Sequence, residues 1–258
     1  MPCSLREGGG KVPALLSFMR VERKYRISLD RKEALLSALS DRLVPDTYGK
    51  STVCNFYLDT PDSRIIRASL DAVAFKEKLR LRTYGAPRPE GVAFLEIKRK
   101  YNGVVYKRRI QTTCNRAMDY FASGRLPGEG QIMREIDYAM QFYGMPQPKV
   151  FLCYEREAFF VRDCPALRLT FDTDVRYRAT DLFAGCDTSG KTLLPPGEAL
   201  LEFKTDAAMP RWMLEVFRAM DVRPASFSKY GRAYADMLGY TPDLSPSPKG
   251  EYTYDEMV

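Results

Sequence analysis

Lys78, Arg80 and Arg82 stand two residues apart, as do Glu96, Lys98 and Lys100, Lys107 and Arg109, and Glu202 and Lys204. Side chains two apart on a β-strand share a face, so each set would project its charges to one side of a sheet. Arg20, Glu22 and Lys24 form another such set, and Arg168 leads Thr170, Asp172 and Asp174 along one more. The chemistry open to these faces is recognition of an anion of high charge density. Arginine offers a planar fork of donors that matches two phosphate oxygens, and lysine offers a compact charge. Cations crowded in this way repel one another unless an anion lies among them. The glutamates on the same faces, Glu22, Glu96 and Glu202, could hold a divalent metal bridging phosphate oxygens. They could equally pair with neighbouring cations.

The composition removes several alternatives. The chain of 258 residues has no histidine, which excludes phosphohistidine chemistry, histidine-based triads and histidine-ligated metals. Any bound metal must then be held by carboxylates, which points to Mg²⁺ or Mn²⁺. A net charge of +7 favours an anionic partner without saying which. The six cysteines show no C-x-x-C pair and read as reduced thiols. Leu15, Leu16 and Phe18 are too short an apolar patch for a secretory signal, and no run of about 20 apolar residues could span a bilayer. A cytoplasmic protein with no membrane segment of its own is expected.

The elements that must carry these charges read mostly as strands, at about 20–27, 51–59, 73–84, 91–100, 103–112, 150–161, 166–178 and 198–204. Asn102 and Gly103 form a strong hairpin signal between two of them. Helical periodicity is predicted at about 30–43, 115–122, 130–143, 208–220 and 228–238. Residues 1–18 read as a flexible leader, 19–240 as one domain, and the proline-rich 241–258 as a flexible tail.

Opposite the charges the same strands carry Leu79 and Leu81, Leu95 and Ile97, Leu167, Leu169 and Phe171, and Leu201 and Phe203. Alternating charge on one antiparallel strand usually marks its solvated face. Across six strands it fits an inverted arrangement better, with helices covering the apolar side and the charges lining a wet interior. The expected class is α+β, an antiparallel eight-stranded β-barrel with helices packed outside. An enclosed site of this kind disfavours nucleic acid, which calls for an outer basic patch with exposed aromatics. Tyr57, Phe75, Phe94, Phe159, Phe171 and Trp212 are expected in the core.

The ordered segments R-V-E-R-K-Y at 20–25, N-F-Y-L-D-T at 55–60, K-L-R-L-R at 78–82, F-L-E-I-K-R-K at 94–100, Y-E-R-E-A-F at 154–159, L-R-L-T-F-D at 167–172, L-L-E-F-K at 200–204 and S-F-S-K-Y at 226–230 resemble the VTC domain. That family is the polyphosphate polymerase branch of the CYTH-like triphosphate tunnel metalloenzymes, and the likeness runs over about residues 20–238. The wider superfamily carries an E-x-E-x-K strand; here Arg20 replaces the first glutamate, exchanging a metal ligand for a phosphate-binding cation. The resemblance implies a tunnel in which the γ-phosphate of ATP passes to a growing inorganic polyphosphate chain. Lys24, Arg80, Arg82, Lys98, Arg156, Arg168 and Lys229 would bind the triphosphate and the acceptor. Arg20, Lys107, Arg109 and Lys204 would join them, and Tyr154 would meet the nucleotide. Glu202 becomes the leading metal ligand ahead of Glu22 and Glu96, and Lys229 would act from a helical plug at a tunnel mouth. Two alternatives stay open: an inorganic triphosphatase on the same tunnel, and a non-catalytic polyphosphate or nucleotide sensor. Eukaryotic relatives are attached to membrane segments, which leaves room here for a separate membrane partner.

Overall fold

The computed structural model describes residues 21–71, 74–102, 104–183, 187–205 and 208–240; Arg20, the leader and the tail lie outside these. The chain runs β1 (Val21–Ser28), α1 (Leu29–Ala38), β2 (Leu43–Asp59), α2 (Arg64–Leu70), β3 (Phe75–Tyr84), β4 (Val92–Tyr101), β5 (Val104–Thr113), α3 (Cys114–Ser123) and α4 (Gln131–Phe142). It continues through β6 (Gln147–Val161), β7 (Cys164–Arg178), β8 (Lys191–Thr192), β9 (Glu198–Thr205), α5 (Arg211–Ala219) and α6 (Lys229–Met237).

One antiparallel sheet contains every strand in the order β1-β9-β7-β6-β2-β3-β4-β5, with the short β8 added beside β7. The expected closed barrel is therefore corrected to an open nine-stranded sheet whose ends are β1 and β5. The physical reason lies in those edges. Among the described residues β1 pairs only with β9 and β5 only with β4, so no backbone ladder joins the two edges and closes the sheet.

The sheet is nevertheless strongly curled. β1 and β4 stand six steps apart in the strand order, which would separate them by roughly 29 Å in a flat sheet. Lys98 of β4 and Glu22 of β1 instead form an ion pair of 3.0 Å. The sheet folds round a concave face and the charged parity lines it.

The apolar parity lies beneath the helices. Phe56, Leu79, Leu81, Leu95 and Ile97 pack against Tyr120 of α3 and Met133, Ile136 and Met140 of α4. On the other half, Tyr25, Ile27, Leu169, Phe171, Leu201 and Phe203 meet Leu35 of α1 and Met213 and Phe217 of α5. Each fully buried side chain of this size contributes about 1.5 to 3 kcal/mol, so the helices hold the curvature from outside. A third cluster lies on the concave side, where Phe227, Tyr230 and Ala233 at α6 pack on Val53, Tyr57, Val150, Leu152 and Leu200. α6 thereby fills one end of the concavity. Of the aromatics expected in the core, Phe171 is buried, whereas Phe75 is 45% exposed at the start of β3.

Candidate functional site

β3 and β4 supply one side of the concave face. Arg80 is gripped by Glu96, with Nε at 2.8 Å and Nη2 at 2.7 Å from Oε2, and its Nη1 reaches the Tyr57 hydroxyl at 3.3 Å. Lys107 of β5 takes the other Glu96 oxygen at 2.7 Å. Arg82 donates from Nε to Asn55 Oδ1 at 2.8 Å and from Nη2 to the Tyr154 hydroxyl at 3.3 Å. Register explains these partners: Asn55 opposes Arg82 and Tyr57 opposes Arg80 across the β2–β3 ladder. Arg109 lies over the Phe94 ring at 4.7 Å.

The opposite side comes from β1, β9, β7, β6 and α6. Asp172, fully buried, accepts from both Nε and Nη2 of Arg156 at 2.6 and 2.7 Å. Lys229 Nζ meets the same carboxylate at 2.5 Å. Glu202 has Lys204 at 2.9 Å, Arg156 at 3.6 Å and both Lys24 and Lys229 at 3.7 Å. Lys24 also lies 3.9 Å from Glu22 and donates to the Phe227 carbonyl at 2.8 Å. Arg168 stands slightly apart, paired with Asp46 and lying over the Phe160 ring.

Burial would favour neutral carboxyls here, but the cations outweigh it. Against burial, Lys98 with Lys204 and Lys24 draws Glu22 down to about 2. Against burial likewise, Arg80, Arg82 and Lys107 draw Glu96 down to about 2. Glu202 and Asp172 are held low in the same way, and Lys229 is raised by Asp172 and Glu202 despite its burial. Lys78, Lys98 and Lys107 show the opposite balance, burial lowering each of them. Burial, then Lys24, Lys98 and Arg80, push Lys78 down to about 8. Burial, with Arg80 and Arg82 opposing Glu96, pushes Lys107 down to about 7. Cations on this face exceed what its carboxylates neutralise, which is the electrostatic state of a site shaped for an anion.

The structure thus brings together Lys24, Arg80, Arg82, Lys98, Lys107, Arg109, Arg156, Lys204 and Lys229 on one face, with Glu22, Glu96 and Glu202 among them. Arg156 is held by a buried carboxylate instead of lying in surface pairs with its sequence neighbours. Tyr154 is 3% exposed, its ring facing Arg156 at 5.1 Å and Lys229 at 4.6 Å, so in this arrangement it orients cations. Asp172 and Lys78 shared the charged parity without being singled out, because their partners are remote in sequence. Tyr57 is core by its ring and belongs to the site by its hydroxyl, which Arg80, Lys78 and Arg82 acidify to about 8 in spite of burial. Nothing in the sequence joined Asn55 to Arg82.

Among the described residues no three histidine, cysteine, aspartate or glutamate side chains converge on a metal position. Glu96 has both oxygens committed to Arg80 and Lys107. Glu22 and Glu202 flank Lys24, and Thr170, opposite Glu202 in the ladder, is buried with no partner for its hydroxyl. Glu22 and Glu202 each have one oxygen paired with a lysine, Lys98 at 3.0 Å and Lys204 at 2.9 Å, so a hard divalent cation taken by their other oxygens would need phosphates to offset the surrounding positive charge.

A model of the VTC domain family matches residues 19–238. A search of curated protein sequences finds no match. Among solved structures, a protein of Bacillus halodurans provisionally described as an adenylate cyclase superposes with a TM-score of 0.51 at 14% identity, over 81% of this chain and 93% of its own. A similarly described protein of Vibrio parahaemolyticus gives a TM-score of 0.44 at 14% identity, over 84% of this chain and 98% of its own. At 14% identity the likeness to the Bacillus halodurans protein speaks for the fold alone. No helix among the described residues is long and apolar enough to cross a membrane.

Proposed function

The chain belongs to the VTC domain family, and from that premise we propose that it is a metal-dependent polyphosphate polymerase that transfers the γ-phosphate of ATP to the end of an inorganic polyphosphate chain. The observation that carries this reading is the concave face, whose guanidinium groups are held from behind while Lys78, Lys98 and Lys107 remain under-neutralised. Arg80 is fixed by Glu96, Arg82 by Asn55 and Tyr154, and Arg156 by Asp172, which leaves further N–H donors of each fork free to take phosphate oxygens.

Phosphoryl transfer asks for alignment and charge neutralisation more than for covalent help. A terminal oxygen of the acceptor phosphate attacks Pγ, the bond between Pγ and the β-bridging oxygen breaks, and ADP departs with that oxygen. The nucleophile is already an anion, so no general base is needed, in keeping with a chain that has no histidine. Lys24, Lys98, Lys204 and Lys229 would neutralise the charge shared between incoming and leaving oxygens. Glu202 and Glu22 would hold Mn²⁺ or Mg²⁺, which when bound supplies charge neutralisation and a template for phosphate oxygens.

Purified protein incubated with ATP and Mn²⁺ is expected to yield ADP and a polymer that runs as a ladder on a polyphosphate-staining gel. Orthophosphate as the only phosphate product besides ADP would refute polymerisation and assign a triphosphatase to the same face.

A further inference from the structure

Lys229 is the first residue of α6, a nine-residue helix, yet its ammonium reaches Asp172 on β7 at 2.5 Å and the Tyr154 ring on β6 at 4.6 Å. A side chain at a helix end gains such precision only if the helix cannot turn about its axis. The residue that prevents this is the next one. Tyr230 is 1% exposed, its ring stacked on Tyr57 with centroids 4.6 Å apart, and its hydroxyl donates to Asp59 Oδ2 at 2.7 Å. Successive helical residues point about 100° apart, so fixing Tyr230 against β2 fixes the direction in which Lys229 leaves the helix.

Asp59, itself 2% exposed, is immobilised in turn. Its Oδ1 accepts from the Thr60 and Ile65 backbone N–H groups at 2.9 Å, and its Oδ2 from that of Ile66 at 3.0 Å. A second contact ties α6 to α2: a Cβ at Gly231 would stand 2.8 Å from Leu70 Cδ2. Burial, followed by the Asp59 charge, raises the Tyr230 phenol, so it stays a donor.

We propose that Asp59 and Tyr230 are positioning residues for Lys229, which they hold in the concave face by locking the rotation of α6 against β2 and α2. This gives a task to the N-F-Y-L-D-T segment: Asn55 and Tyr57 orient Arg82 and Arg80, and Asp59 orients Lys229. The inference rests on the reading of the concave face as a phosphate site.

The test is a double-mutant cycle on binding of tripolyphosphate, followed by titration calorimetry of the purified full-length chain, with Tyr230→Phe, Lys229→Met and the double variant. Tyr230→Phe removes one hydroxyl and keeps the stacked ring, and is expected to weaken binding about three- to tenfold, the worth of one net hydrogen bond. In the Lys229→Met background the same change should have no further effect on affinity, while the melting temperature falls by a similar amount in both backgrounds. Additive losses, or an unchanged affinity in Tyr230→Phe, would overturn the positioning role and leave the phosphate site standing. Failure of the unaltered protein to bind tripolyphosphate would overturn the phosphate site and the positioning role with it.

Discussion

Neutralising Asp172 should move stability and anion response in opposite directions. The carboxylate is wholly buried, receives two donors from Arg156 and faces Lys229. Asp172→Asn keeps the shape and removes the charge, leaving two buried cations without their main counter-ion. Removing one partner of a buried ion pair costs about 3 to 5 kcal/mol. For a domain of this size, each kcal/mol shifts the midpoint by about 2 to 4 °C, so the variant should melt roughly 6 to 20 °C below the parent. Tripolyphosphate can take over the lost negative charge between Arg156 and Lys229. The variant, with two uncompensated cations, should bind the anion more tightly than the parent and so gain more from a ligand that binds only the folded form, which narrows the gap at saturating tripolyphosphate. Differential scanning calorimetry with and without the anion reads both effects. An unchanged midpoint, or a deficit equally large with and without tripolyphosphate, would refute the assignment of Asp172 as the counter-ion that anchors this side of the site.

Two further outcomes follow from the same electrostatics. Lys107 titrates near 7, so its charge is present at pH 6 and is lost as the pH rises through that value. Tripolyphosphate affinity should fall between pH 6 and 8, and Lys107→Arg, which cannot deprotonate in this range, should flatten the dependence; identical profiles would remove Lys107 from the site. Glu202→Gln should abolish Mn²⁺-dependent turnover and lower Mn²⁺ uptake in the presence of tripolyphosphate, while the parent should take up little Mn²⁺ without the anion. Equal Mn²⁺ uptake by parent and variant in equilibrium dialysis would move the metal away from Glu202.

The charged parity was legible because alternation is a local property: Leu79 beside Arg80 and Leu95 beside Glu96 assign each side chain to a face whatever the sheet does at longer range. Closure is not local. It depends on whether β1 and β5 pair, and a single strand's sequence does not contain its partner. β2 begins at Leu43, earlier than the expected start at about 51, because the ladder with β6 resumes after an irregularity between Pro45 and Lys50. That irregularity leaves Asp46 beside Arg168, a pairing no spacing announces. α2 escaped notice because it has seven residues and no side chain of its own capping residue Ser63 bonds to it; Asp59 and Thr60 supply that function from the preceding strand. The predicted helix at 30–43 ends at Ala38, since Leu39 closes the last turn and Leu43 already belongs to β2. At the site, residues on one strand could be grouped from sequence, whereas Arg156, Asp172 and Lys229 meet only in three dimensions.

That the cationic face extends a phosphate chain is tested most directly by phosphorus NMR of the protein with ATP, diamagnetic Mg²⁺ and a short polyphosphate primer. An internal-phosphate signal should grow in step with ADP, one internal phosphate for each ATP consumed. ADP appearing with orthophosphate and no growth of the internal signal would contradict it.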